Sequence, residues 1–150
     1  MAIFDFLKAS PHADATLGLL TRRHGRWQGK ITLLTDGHVP LLLAGGRAAP
    51  DPPSLKLARD LIPRYASLRP AIARALFEHY EPSIDGVAGI PRLNSPDQVW
   101  AHVAPVRVLI EPMGRVDTVE IAYRTAWDEE HTVGARFQDW ALVELNGSVI

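Results

Sequence analysis

The chain has 150 residues, of which 47% are hydrophobic and 22% charged, proportions that are typical of one globular domain. The 16 basic and 17 acidic side chains nearly cancel, which argues against a wholly basic nucleic-acid-binding protein and against an acidic tail. The absence of cysteine excludes disulfides, cysteine-ligated metals and a thiol nucleophile. We therefore expect a single domain over residues 1–150 that needs no crosslink to fold.

The expected location is the cytoplasm, without a membrane anchor. The first eight residues lack the basic region and the long apolar region of a signal peptide, and no window reaches the length of a membrane span. Most of the basic residues are arginine and alanine is frequent, a composition that is typical of GC-rich bacterial genomes. We therefore expect a bacterial cytoplasmic protein.

The first third of the chain predicts β-strands. In residues 27–33, Trp27, Ile31 and Leu33 alternate with polar residues, as in a strand with one buried face. The pair Asp36-Gly37 is typical of a hairpin turn. The apolar run from 39 to 43 predicts a further strand that is buried on both faces.

The middle of the chain predicts helices. Apolar residues recur every three or four positions over residues 52–80. Pro63 and Pro70 disfavour helix in the residue before each of them, so we expect two helical pieces, 52–66 and 69–80, with a kink or a break between them.

A second helical segment is predicted at residues 95–103. The sequence Ser95-Pro-Asp-Gln98 has the spacing of a capping box, in which each end residue satisfies a backbone N–H of the first turn. Val99, Trp100 and Val103 should then face the core.

The last third predicts four short antiparallel strands, because apolar and polar residues alternate between turns. The apolar positions lie in the segments 106–110, 119–127, 133–137 and 142–145. The predicted fold class is α+β. We expect one antiparallel sheet, made of the N-terminal strands and this four-strand meander, that is covered on one face by the helices at 52–80 and 95–103.

The densest polar cluster is Trp127-Asp-Glu-Glu-His131, in which Asp128 to Glu130 are predicted to form a turn. Carboxylates beside an imidazole can bind a cation or exchange protons, but a solvated hairpin turn has the same composition. No histidines show metal-ligand spacing, and no nucleotide-binding or serine-hydrolase motif occurs, so we expect no metal and no cofactor. His79 lies on the apolar stripe of its helix and is predicted to be packed and hydrogen-bonded.

Two further groups of side chains are candidates for binding. Arg124 and Arg136 lie on the polar face of the predicted meander, where they would contact an anion or pair with Glu120 across the strands. Trp140 lies beside a turn and is predicted to be the most exposed of the four tryptophans, as in a partner interface. The basic stretch at 22–27 is typical of the solvated tip of a hairpin, and we do not expect nucleic-acid binding.

Several segments together resemble an uncharacterised family of bacterial α+β domains. They are Gly25-Arg-Trp27, Val39-Pro-Leu-Leu-Leu43, Pro50-Asp-Pro, Leu68-Arg-Pro70 with Ala75-Leu76 and His79-Tyr80, Trp127-Asp-Glu-Glu-His131-Thr-Val-Gly134 and Leu142-Val-Glu-Leu-Asn-Gly147. The resemblance extends over most of residues 20–147 and implies one α+β domain, and because the family has no assigned activity it transfers no catalytic residue to this chain. Related small domains occur beside bacterial toxin systems, which implies a protein partner.

These observations lead to two hypotheses on function. The first is a non-catalytic binding or regulatory module, of the immunity type, whose partner is another protein. The second is a small enzyme or anionic-ligand binder that uses the turn from Asp128 to His131 and the nearby arginines. The candidate binding residues are Trp127, Asp128, Glu130, His131, Arg124, Arg136 and Trp140.

Overall fold

An eight-stranded sheet, with its strands in chain order, forms the framework of the fold. The computed structural model describes residues 9–34, 37–83 and 89–149, so that Asp36 of the predicted hairpin turn lies outside the described residues. The strands are β1 His12–Asp14, β2 Gly18–Arg23, β3 Arg26–Thr32, β4 His38–Leu43, β5 Val103–Met113, β6 Val116–Thr125, β7 Asp128–Gln138 and β8 Ala141–Val149.

The sheet is antiparallel except at one junction. Strands β5 to β8 form the predicted four-strand meander, which is confirmed. β4 and β5 pair in parallel, with Leu41 to Leu43 opposite Val108 to Ile110, so the prediction of an entirely antiparallel sheet is wrong. A parallel pair needs a long crossover, and the helical segment between β4 and β5 supplies it. The class is therefore α+β and dominated by the sheet.

One continuous helix, α1, extends over Pro52–Tyr80 and has 29 residues, so a break between two pieces is wrong, whereas a kink stays a prediction. Each proline removes the N–H that would bond the carbonyl four residues earlier, on Arg59 and on Ala66. All four of these residues are exposed, so water can bond both carbonyls. Ten buried residues hold the helix in the core, and an apolar side chain buried in this way contributes about 1.5–3 kcal/mol.

The segment at 95–103 forms a 3-10 helix, Pro96–Ala101, whereas Val103 already belongs to β5. The predicted capping box is wrong, because Ser95 and Gln98 do not make the reciprocal pair of hydrogen bonds that defines it. The Gln98 side chain accepts from the backbone N–H of Asn94 at 2.6 Å, and the Ser95 hydroxyl donates to the Asp97 carboxylate at 2.6 Å. The short segment is too tight for the reciprocal α-helical geometry, because β5 begins directly after it.

The core contains the buried residues of α1 together with one side of the strands. Tyr65 of α1 and Tyr123 of β6 are fully buried, and their hydroxyl oxygens are 2.8 Å apart. Trp27 is fully buried and donates from Nε1 to the carbonyl of Gly46 at 2.9 Å. Its predicted place on the inner face of β3, with Ile31, is confirmed. That the two helical segments cover one whole face of the sheet stays a prediction.

Two local predictions are wrong. The run 39–43 is not buried on both faces, since Pro40 is exposed and Leu42 is half-buried. Asp128 to Glu130 do not form a turn. The turn is Ala126-Trp127, and Asp128 already begins β7, where a bulge shifts the register against β6. Within the described residues, no helix has both the length and the apolarity that crossing a membrane would require.

Candidate functional site

The predicted site residues are spread along β7 and its two turns, except for Arg124, which lies near the end of β6. Trp127, Asp128 and His131 lie at one end of the strand, Arg136 lies towards the other end, and Trp140 is in the turn beyond it. Eleven residues of extended strand measure about 34 Å. The structure therefore does not assemble these residues into one site, and each group is described by its own contacts.

Trp127 connects the β6–β7 turn to the C-terminal end of α1. Its side chain is 6% exposed, and Nε1 donates a hydrogen bond to Nδ1 of His79 at 3.0 Å. Its ring packs edge-on against Tyr80, with 5.3 Å between the centroids. The prediction that His79 is packed and hydrogen-bonded is confirmed. These contacts give Trp127 a structural role at the end of the helix.

His79 is held in its neutral form. Burial lowers the pKa of His79 below its ordinary value of 6.5, against the opposing effect of the nearby Asp128 carboxylate. Since Nδ1 accepts from Trp127, the proton of the neutral imidazole is on Nε2. A second proton would have to occupy Nδ1 and would break the bond to the indole.

Asp128 and His131 form a contact at the surface. The imidazole Nδ1 is 3.0 Å and 3.2 Å from the two carboxylate oxygens of Asp128, and His131 is exposed. Glu130 is also exposed and lies on β7 between them. No group of three or more histidine, aspartate and glutamate side chains in the described part of the chain is arranged to hold a metal ion.

Arg124 lines a shallow recess of about 550 Å³ beside the 126–131 segment. His102 and Glu129 also line it, and the backbone N–H of Ala126 donates to the carbonyl of His102 at 2.9 Å. Arg136 does not reach this recess. The recess therefore has one of the two predicted arginines, and a carboxylate lies beside it.

Arg136 lies on the sheet face opposite the core, between two carboxylates. Its Nε donates to Glu120 at 2.5 Å, and Nη1 donates to Glu144. Arg107 approaches the other oxygen of Glu120 at 3.9 Å. The sequence left two alternatives for Arg136, contact with an anion or an ion pair with Glu120 across the strands. The structure has the ion pair. With two carboxylates on it, Arg136 is not available to a ligand anion.

Trp140 is half-buried, as is Trp100, whereas Trp27 and Trp127 are buried, so that Trp140 is the most exposed of the four stays a prediction. Asp139 and Trp140 both have positive φ, 50° and 59°, in the two-residue turn between β7 and β8. Such turns favour this backbone conformation, although it is uncommon for a bulky side chain. The guanidinium carbon of Arg64 on α1 lies 5.0 Å from the centroid of the indole and covers it.

A second arginine–tryptophan stack involves Arg69, which follows Arg64 by five positions on α1 and so lies about 140° from it around the helix axis. The guanidinium carbon of Arg69 is 4.1 Å from the ring centroid of Trp100, which belongs to the 3-10 helix. Between the two helices runs a groove of about 560 Å³, which we call the helix groove. Its lining includes Ala66, Arg69, Pro70, Arg74, Asp97 and Trp100.

Sequence reasoning did not find the helix groove. Arg69 and Trp100 are 31 positions apart, and neither belongs to a motif. The only signal in the sequence was indirect: a helix with three arginines and no acidic residue between positions 64 and 74. Such a stretch is usually a solvated helix face, and only the packing of the 3-10 helix turns it into the wall of a groove.

Comparison with known proteins gives one match. The family model described as Domain of unknown function (DUF6985) matches residues 17–149. Neither the comparison with curated proteins nor that with solved structures gave a match.

Proposed function

We propose that this chain, which belongs to the DUF6985 family of domains of unknown function, is a non-catalytic protein-binding module. The observation that carries the proposal is the pair of arginine–tryptophan stacks on α1, Arg64 on Trp140 and Arg69 on Trp100. Tryptophan and arginine are the residue types that most often dominate the energy of protein interfaces. Here both tryptophans are half-buried, so each has an indole surface in a fixed position.

Pre-organisation supports a binding role for each of the two stacks. Each guanidinium rests on an indole that other contacts hold in place, which lowers the conformational entropy that a partner's binding would cost. Trp100 packs edge-on against Tyr123 of the core at 6.0 Å, and Trp140 is part of a tight turn. A regulatory role of the immunity type, in the bacterial cytoplasm, is the finer form of this proposal and rests on the sequence.

The proposal is tested by identifying a partner and mapping its binding. The chain is used to capture proteins from a lysate of its source cells, and any stoichiometric partner is then purified and titrated against it. We expect Trp140→Ala and Arg64→Ala each to weaken binding of the purified partner by about tenfold or more, as for interface hot spots.

The matched control is Val116→Ala, because Val116 is an exposed apolar residue of the β5–β6 hairpin. It should leave the affinity unchanged. If the chain remains a monomer without a stoichiometric partner, or if all three variants bind alike, the proposal is wrong.

A second function, binding of a small anion, is favoured by the recess beside Arg124. The recess lies next to the 126–131 segment, and Arg124 is exposed there. A titration with inorganic phosphate, followed by NMR, would test it. Shifts that are confined to residues around Arg124, and that vanish in Arg124→Gln, would support this function, whereas the absence of saturable shifts would exclude phosphate as a ligand.

A further inference from the structure

We infer that the helix groove binds a short acidic segment of a partner protein, with an apolar side chain on its floor and carboxylates on Arg69 and Arg74. The inference rests on the proposed binding function and adds the chemistry of the partner. Four kinds of observation support it: the shape of the groove, the free donor of Arg69, the local charge balance and the contrast with other arginines of the chain.

The shape of the groove fits a side chain. Ala66, Pro70 and Ala73 line it from α1, and Trp100 lines it from the 3-10 helix. These three residues of α1 have small side chains, so they leave the opening of about 560 Å³ unfilled. A single apolar residue of an extended peptide would bury its surface there without a rearrangement of the core.

Arg69 presents a donor that the described residues leave unused. Its guanidinium lies over the Trp100 ring, and its Nε is buried without a hydrogen-bond partner in the part of the chain that the structure describes. Stacking occupies the face of the guanidinium and leaves its edge available. A carboxylate in the groove would accept from the two terminal nitrogens, a bidentate geometry that arginine allows, whereas the buried Nε is out of its reach.

The charge balance of the groove favours an anionic partner. Arg69 and Arg74 contribute two positive charges, and Asp97 contributes one negative charge, so the lining has a net charge of +1. The Asp97 carboxylate already accepts from the hydroxyl of Ser95. Arg74 is exposed and makes no ion pair with another described residue.

Three arginines that hold the sheet and α1 in place differ in this respect, although others, such as Arg115 and Arg124, also form no ion pair with a described residue. Arg26 pairs with Glu111, Arg59 with Asp14, and Arg136 with Glu120 and Glu144. Intramolecular carboxylates thus satisfy the arginines that hold the sheet and α1 in place. The arginines of the helix groove pair with no carboxylate among the described residues, and a partner can supply carboxylates to them.

A protein segment fits this surface better than a nucleic acid. A single-stranded nucleic acid binds by stacking its bases on exposed aromatic faces along a basic channel. In the helix groove, Arg69 already covers a face of the Trp100 indole, and Ala66, Pro70 and Ala73 of α1 give part of the lining an apolar character. An acidic peptide uses both features, because its apolar residue packs on the floor of the groove and its carboxylates bind the arginines at the rim.

The test uses the full chain and defined peptides. The probes are labelled short peptides in which one apolar residue, varied across the set, lies between runs of glutamate. In the matched peptides every glutamate is replaced by glutamine. Binding is measured by fluorescence polarisation, and the site is located by NMR through the indole N–H signal of Trp100. We expect at least one acidic peptide to bind and to shift this signal. Its glutamine counterpart should bind more weakly by about tenfold or more.

Variants separate the groove from general attraction to a basic surface. Arg69→Gln and Arg74→Gln should each weaken binding of the acidic peptide by about tenfold. Ala66→Glu should abolish its binding by repulsion, whereas Ala66→Gln, of nearly the same size, should retain most of it. Ala66 is exposed, so neither change disturbs the core. Arg115→Gln, in the exposed β5–β6 turn, is the control and should leave binding unchanged.

Three results would overturn the inference: no acidic peptide binds, Arg115→Gln weakens binding as much as Arg69→Gln, or an oligouridylate RNA binds and displaces the peptide equally well. The proposed function fails separately. If a purified partner depends on Arg64 and Trp140 but not on Arg69 and Arg74, the chain is a binding module and only the acidic-segment inference is wrong.

Discussion

The indole of Trp127 donates a hydrogen bond to Nδ1 of His79 and so joins the β6–β7 turn to the end of α1. The two residues are 48 positions apart, and their contact ties the last turn of the helix to the sheet. It also makes the structure sensitive to protonation, because the bond requires an unprotonated Nδ1.

Acid should weaken the fold through His79. Burial lowers the pKa of His79 in the folded state below 6.5, so the unfolded chain binds a proton more readily. The stability that neutral His79 contributes is therefore fully present above pH 6.5 and declines as the pH falls below it. Urea unfolding at a series of pH values should show a smaller decline for His79→Gln than for the native chain.

The same bond can be observed directly by NMR. The titration of His79 should have its midpoint below 6.5, and Trp127→Phe should move this midpoint upwards, because the donor to the neutral imidazole is lost. A midpoint of His79 at or above 6.5 in the native chain would contradict the prediction.

Asp14 should stabilise the fold at neutral pH. It is buried and accepts from Arg59 and from the backbone N–H groups of Thr16 and Leu17. The hydrogen bonds from Arg59 are the main cause that lowers the pKa of Asp14 from 3.8 to about 2. This contribution, up to about 2 kcal/mol, is present above pH 3.8 and is lost as the pH falls towards 2.

The measurement is the free energy of unfolding of Asp14→Asn at neutral pH, which should be about 2 kcal/mol below that of the native chain. Asp60→Asn is the control, since Asp60 pairs with Lys56 in an i,i+4 ion pair whose lysine is well exposed. That variant should change stability by no more than about 0.5 kcal/mol. Equal losses in the two variants would show that burial of Asp14 contributes nothing.

Tyr65 and Tyr123 should be energetically coupled. Their hydroxyl oxygens are 2.8 Å apart in the core, and both side chains are fully buried. Tyr65→Phe and Tyr123→Phe should each cost about 1 kcal/mol, because each leaves the other hydroxyl with one partner fewer. The double variant should cost less than the sum of the two. Strict additivity in the denaturation midpoints would argue against the bond.

The absence of a side chain at Gly134 should matter only because Glu120 lies over this position. A β-carbon at position 134 would be 2.7 Å from Cδ of Glu120, whose carboxylate is held by Arg136. Gly134→Ala should therefore displace Glu120 and cost about 1–3 kcal/mol.

In a Glu120→Ala background the same change should be neutral or stabilising, since alanine suits a strand better than glycine does. Unfolding of the four combinations of these two substitutions tests this. A destabilisation of equal size in both backgrounds would mean that Glu120 is not the obstacle.

Local patterns in the sequence predicted the parts of the fold that depend on burial. The alternation in β3 and in the β5–β8 meander, and the apolar stripe of α1, predicted these elements because a strand or helix with one buried face must repeat its apolar residues. The break at Pro63 and Pro70 was not correctly predicted. The free-energy cost of a proline inside a helix depends on whether the carbonyl that loses its partner can bond to water. No local pattern in the sequence shows that.

The candidate site was less predictable than the fold. Trp127 and His79 were each expected to be packed, but their mutual bond depends on where the β6–β7 turn meets the end of α1. The sequence alone therefore determined the elements, the meander and the presence of an arginine-rich, acid-free stretch on α1. Only the tertiary structure decided that β5 lies parallel to β4, that Arg136 is neutralised by carboxylates and that Arg69 lies on Trp100. The reason is physical: periodicity is a property of neighbouring residues, whereas contacts between distant segments follow from how the finished elements pack.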